Sequence, residues 1–143
     1  MAANERAFVD TSFFISLVNE RDVLHPGSRA WAEKLTRERW ELWTTEYVLV
    51  ETGDGLSKLR FRRQATEVLR TTLTTPWIKV VPGDTRLLKA AFDLYQRRAD
   101  KEWGLTDCIS FVVMKRAKLN QALTCDRDFV QAGFRALLLE EAD

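Results

Sequence analysis

Apolar residues recur in two rhythms along the 143 residues of the chain. Five short runs rich in β-branched and aromatic residues read as strands. They are Ala7-Phe8-Val9, Trp40 to Thr45, Trp77 to Val81, Gln121 to Cys125 and Phe134 to Leu139. Longer stretches between them carry apolar residues at helical spacing. Phe13 to Val18 is too apolar for a surface helix. A second helix follows the His25-Pro26-Gly27 break, with Ser28 as its N-cap, and a third starts near Thr45-Glu46. Gly53 and Gly55 each weaken a helix by about 1 kcal/mol relative to alanine, so the third is expected to end or bend there. Leu59 to Leu73 forms another helix, and Asp84 caps one running through Leu87, Ala91 and Tyr95. Leu105 to Met114 is so poor in charge that it reads as a central, nearly enclosed helix. Strands alternating with helices predict an α/β fold, a parallel sheet of four to five strands with helices on both faces. The length suits one domain over residues 1–143.

Acids fall at matching places in this pattern. Asp10 follows the first strand, Glu51 lies on the helix after the second, Asp107 opens the central helix and Asp126 follows the fourth strand. In an open parallel sheet the ligand site lies outside the carboxyl ends of the strands. Asp10, Asp107 and Asp126 could each cap a helix instead, and Thr11 or Ser12 could take that duty from Asp10. Glu51, inside a helix among Val48, Leu49 and Val50, is no cap, and an acid buried there needs a partner. Converging, the four would form an all-oxygen cage of the kind Mg²⁺ or Mn²⁺ prefers. Phosphoryl transfer is the chemistry such a cage serves, and it needs no histidine.

Composition narrows the choice. His25 is the single histidine and sits in a polar turn, which argues against Ser-His-Asp and Cys-His catalysis. The 22 basic and 21 acidic residues nearly cancel, so polyanion binding must come from local clusters. Cys108 and Cys125 form no C-x-x-C pair and read as buried free thiols of a cytosolic protein. No apolar run approaches the roughly 20 residues of a membrane span, so the expectation is a soluble, cytoplasmic protein.

Four blocks carry a resemblance: Phe8-Val9-Asp10-Thr11-Ser12, Thr45 to Thr52 around Glu51, Leu105-Thr106-Asp107-Cys108-Ile109-Ser110-Phe111, and Leu123-Thr124-Cys125-Asp126-Arg127-Asp128-Phe129. In this order, and spanning nearly the whole chain, they resemble the signature blocks of PIN domains, particularly VapC-type toxins. The resemblance implies a twisted parallel sheet flanked by helices and a Mg²⁺- or Mn²⁺-dependent endoribonuclease acting on tRNA, rRNA or mRNA. It makes Asp10, Glu51, Asp107 and Asp126 the catalytic, metal-binding acids, with Ser12, Thr124 and Asp128 in support. It also implies a cognate antitoxin seated in a groove between the early helices, and a homodimer. Gly53-Asp54-Gly55 departs from the aliphatic residues expected after the family's glutamate.

Arg60, Arg62 and Arg63 form the densest basic cluster, and Lys115, Arg116 and Lys118 follow the central helix. With Arg127, the first three are candidates for RNA contact, although exposed basic faces are commonly just solvated. Two other functions compete. A phospho-receiver signalling domain also places acids at strand ends, but Asp10 lacks an acidic neighbour and no lysine closes the fourth strand. A catalytically inactive PIN-like module would bind RNA or protein without cutting.

Overall fold

The computed structural model of the chain describes residues 4–143. Its strands are β1 (Arg6–Val9), β2 (Glu41–Thr45), β3 (Ile78–Val81), β4 (Gln121–Leu123) and β5 (Arg135–Ala136). All pair in parallel in the order β3-β2-β1-β4-β5. The chain builds outward from β1 to β3, then crosses back to lay β4 on the other side of β1. The order therefore reverses between β1 and β4, and a crevice opens at the carboxyl ends of strands at such a reversal. In register, Phe8 faces both Trp43 and Ala122, and Val9 faces Leu123.

Helices cover both faces, as the alternation predicts. They are α1 (Thr11–Val18), α2 (His25–Arg37), α3 (Glu46–Gly55), α4 (Leu59–Thr74), α5 (Thr85–Arg97), α6 (Leu105–Arg116) and α7 (Arg127–Gln131). Successive strand residues point to opposite faces. Leu42 lines a groove with residues of α1, α2 and α4, whereas Trp43, the next residue, lines a cleft with residues of α5 and α6. Helix α6 is the enclosed one, with Cys108, Ile109, Ser110, Phe111, Val113 and Met114 all buried. Phe111 meets Trp103 and Phe129 edge to face at centroid distances of 5.0 and 4.9 Å, the favoured arrangement for aromatic pairs. This packing fixes α6, and with it the position of Asp107.

Several boundaries depart from the sequence pattern. Helix α2 begins at His25 with Leu24 at its N-cap, because Pro26 is tolerated in a first helical turn. Ser28 is therefore not a cap. It is buried, its Oγ 2.6 Å from the Ser16 Oγ, while His25 Nδ1–H donates to the Ser16 carbonyl at 2.7 Å. The only histidine thus ties α2 to α1. Helix α3 passes through Gly53 and ends at Gly55, as its glycines predict. A Cβ on Gly55 would come 2.9 Å from Ile15 Cδ1, so the bare backbone lets α3 close on α1. The fifth strand is only Arg135–Ala136, and Leu137–Leu139 turns into a 3₁₀ helix instead of continuing it. The segment after Asp126 forms α7, with Asp126 at its N-cap position. Of the two free cysteines, Cys108 is buried and Cys125 is half-buried.

The turn from β3 into α5 depends on Gly83. Its N–H donates to Glu46 Oε1 at 2.7 Å, and a Cβ there would lie 2.7 Å from Tyr47 Cε2. Gly83→Ala is therefore expected to destabilise the fold by about 1–3 kcal/mol, the usual cost of overpacking. Urea denaturation checks this, and in a Tyr47→Ala background the further cost of Gly83→Ala should largely vanish. Equal midpoints for wild type and Gly83→Ala would refute the clash.

Candidate metal centre

Asp10 leaves β1 at its carboxyl end and occupies the N-cap position of α1, yet its side chain makes no capping bond. The buried carboxylate turns toward β4 instead. Its Oδ2 accepts from Thr124 Oγ at 2.8 Å and from Ser12 Oγ at 3.3 Å. Neither Thr11 nor Ser12 replaces it as a cap. Thr124, fully buried, also accepts from the Asp126 N–H at 3.0 Å, and Ser12 Oγ accepts from the Cys125 N–H at 3.3 Å. Two hydroxyls thus fasten the start of α1 to the β4–α7 turn, and Asp10 and Asp126 are positioned by the same Thr124 oxygen.

Glu51 reaches the site from α3. It is exposed, not embedded among Val48 and Leu49, because the helix turns those two inward and Val50 and Glu51 outward. Its Oε1 accepts a short 2.6 Å hydrogen bond from Thr11 Oγ. Thr11 is the residue the sequence pattern missed, and its position beside Asp10 was the available signal.

Asp107 lies in the first turn of α6, where its Oδ2 accepts from the Gly104 N–H at 3.3 Å. Asp126 caps α7 by accepting from the Asp128 N–H at 2.9 Å. Both acids therefore do serve as end-of-helix acceptors. Each still directs oxygen into a common space: one carboxylate oxygen from each of Asp107, Asp126 and Asp128 lies within 4.8 Å of the others. Asp128 belongs to this tight group, while Asp10 and Glu51 stand beside it.

The acids sense one another. Loss of surrounding water is the main cause that pushes the Asp107 carboxyl up to about 7, followed by the charges of Asp10, Asp126 and Asp128, against the pull of the Gly104 N–H. Burial likewise raises Asp10, which the bond from Thr124 partly offsets and the Glu51 charge reinforces. Asp128 is raised by desolvation and then by Asp126 and Glu102. Among the described residues, none of these five acids is in an ion pair with a lysine or arginine. Clustered, mutually repelling carboxylates without a basic partner and with only oxygen to offer fit a hard divalent cation.

The basic candidates lie elsewhere. Arg60, Arg62 and Arg63 are exposed on the first turns of α4. Arg60 stacks over Phe61 at 4.6 Å, and Arg62 Nη2 donates to the Ser57 carbonyl at 2.7 Å. Arg60 adjoins Asn19 and Glu20 beyond the end of α1, whereas Asp10 precedes its start. Eight residues of helix, about 12 Å, separate those ends. Arg127 is exposed on α7 and, among the described residues, has no carboxylate partner.

A five-stranded parallel sheet whose carboxyl edge gathers unpaired acids from three helices and a loop defines an α/β protein of the acid-centred nuclease type. Its sequence matches the PIN domain over residues 7–135, and the chain belongs to the PIN domain family. It is 32% identical over 128 residues to the 23S rRNA-specific endonuclease VapC20 of Mycobacterium tuberculosis, covering 89% of this chain and 94% of that protein. The crystal structure of the Mycobacterium tuberculosis VapC20, a sarcin-ricin loop cleaving toxin, superposes with a TM-score of 0.78 at 29% identity, over 90% of this chain and 95% of that one. FitAcB from Neisseria gonorrhoeae shares the fold, with a TM-score of 0.64 at 15% identity over 91% of this chain and 94% of that one.

Proposed function

We propose that this protein is a VapC-type endoribonuclease that cuts 23S rRNA with the help of Mg²⁺ or Mn²⁺. The observation that carries the reading is the meeting of Asp107, Asp126 and Asp128 within 4.8 Å, with no basic partner, at the edge where β1 and β4 end. Asp107, Asp126 and Asp128 would hold the cation, with Asp10 and Glu51 completing its surroundings. A cation bound there would draw charge from the attacked phosphate and activate water against it.

The chain's own residues set up that chemistry. Thr124 and Ser12 donate to one oxygen of Asp10, which leaves its other oxygen available to the site. Thr11 does the same for Glu51. Asp107, raised to about 7, would have to shed its proton to hold a cation.

A cognate antitoxin is the partner this reading adds, acting in the cytoplasm where the RNA is. An apolar groove of about 360 Å³ between α1, α2 and α4 supports it, lined by Phe13, Phe14, Leu17, Trp40 and the exposed Trp77. For a homodimer, the support is the stripe Leu88, Phe92 and Tyr95 on α5, which is 37, 49 and 47% exposed. Among the described residues no helix is long and apolar enough to cross a membrane. The phospho-receiver alternative lacks an acid beside Asp10, and the inactive-module alternative is disfavoured by the intact set of acids. Purified protein incubated with 23S rRNA and Mn²⁺ should produce discrete fragments, and a chelator should stop their appearance. Cleavage that persists in chelator would refute the metal-dependent reading.

A further inference from the structure

The proposed centre is strongly acidic, so a polyanionic substrate must find its cationic anchors on another part of the surface. Besides the arginines of α4, a second group of cations borders β3, α5 and α6. A cleft of about 420 Å³ opens between β3, the start of α5 and the end of α6, floored by Trp43, Leu87 and Val113 and rimmed by Arg86, Arg116 and Asp84. Lys79 lies over the Trp43 ring at 4.7 Å, and Arg6 approaches the same ring at 5.7 Å. The charges can be accounted for one by one. Arg6 is offset by Glu41 at 3.6 Å, and Glu41 also accepts from the Trp43 indole N–H. Asp84 is engaged as the α5 cap, accepting from the Leu87 N–H at 2.8 Å. Lys79, Arg86 and Arg116 are left, among the described residues, without a carboxylate partner.

Arg116 alone has a bland explanation, because a cation in the last turn of a helix is stabilised by the helix dipole. Arg86 has none. It occupies the first turn of α5, where the dipole disfavours positive charge, and the neighbouring acid Asp84 is engaged as the cap and forms no ion pair with it. Exposed cations brought together around an aromatic floor, against local electrostatics, suit a chain of phosphates with bases beside it. Nine residues of α6 separate Arg116 from Asp107, a rise of about 14 Å. The cleft is thus within reach of the same RNA strand that enters the acidic centre.

We propose that this cleft is a phosphate-binding subsite, in which Arg86 and Arg116 grip the RNA backbone a few nucleotides from the bond to be cut while Lys79 and Trp43 support the strand. The proposal rests on the ribonuclease reading above. It predicts that affinity for RNA comes from the α5–α6 side, not from Arg60, Arg62 and Arg63 on α4.

The test uses the full-length protein carrying Asp107→Asn, so that RNA binds without being cut, and a fluorescent stem-loop with the sarcin-ricin sequence as probe. Adding Arg86→Ala and Arg116→Ala should weaken binding about tenfold and make the salt dependence of the logarithm of affinity shallower by about 1.4, the value for two lost phosphate contacts on a single strand. Arg116→Lys should retain most of the affinity, and Arg116→Glu should lose more than Arg116→Ala. Equal melting temperatures across the set exclude unfolding as the cause. Unchanged affinity and salt slope in the double variant would overturn the subsite, and so would a loss confined to Arg62→Ala with Arg63→Ala. Cleavage by the wild type, measured alongside, separates the outcomes: failure of the wild type to cut RNA sinks the ribonuclease reading, whereas cutting with unchanged binding in the double variant sinks only the cleft.

Discussion

Asp107→Asn should lower RNA cleavage at saturating Mn²⁺ by at least about a hundredfold, more than the loss usual for residues that merely support a metal ligand. Asparagine keeps the shape of the side chain and an oxygen able to accept from the Gly104 N–H, so α6 should start as before. What disappears is one negative charge from a group of three carboxylates within 4.8 Å. The same substitution should raise the melting temperature of the metal-free protein, because it removes repulsion from Asp10, Asp126 and Asp128. Loss of activity through misfolding would lower stability, and loss through the metal centre would raise it. Fragment yield from 23S rRNA and thermal melts in chelator measure the two together. Full activity in Asp107→Asn would remove Asp107 from the centre.

The second large effect is on pH. The Asp107 carboxyl in the folded protein titrates near 7, above its ordinary value of 3.8. Between those values the native state holds a proton that the unfolded chain has already released. Stability of the metal-free protein should therefore fall as pH rises from about 4 to about 7, and level off above. A divalent cation must displace that proton, so its apparent affinity should climb up to tenfold per pH unit below 7 and flatten beyond it. Between pH 5.5 and 8 the change amounts to about thirtyfold. Titration calorimetry with Mn²⁺ from pH 5.5 to 8, in buffers of different ionisation enthalpy, gives both the affinity and the number of protons released. Affinity that stays flat between pH 5.5 and 7, or no proton release, would contradict a raised Asp107 at the centre. Asp107→Asn should abolish most of the slope.

Much of this was legible from residue order. The strand and helix alternation, the enclosed α6 and the acids at strand ends all follow from local periodicity, which a single sequence displays. Three features were not. Glu51 was read as an acid trapped among Val48, Leu49 and Val50, but neighbours in sequence are not neighbours on a helix, and the residue is exposed. Asp128 was assigned a supporting place, yet the short α7 brings it within 4.8 Å of both Asp107 and Asp126. That helix is too brief to leave a periodic signal. The role of Thr11 depends on Glu51, 40 positions away, and no local pattern encodes such a pairing. Gly53 and Gly55 were legible in part: propensity argued for an end or a bend there, and α3 ends at Gly55 after passing through Gly53.

The bond between Thr124 and Asp10 spans 114 residues. It has a consequence for synthesis, since β1, β2 and β3 all precede in the chain the helices α6 and α7 that carry Asp107 and Asp128. The acidic group is therefore incomplete on a nascent chain until β4 and α7, which follow α6 in sequence, have been made.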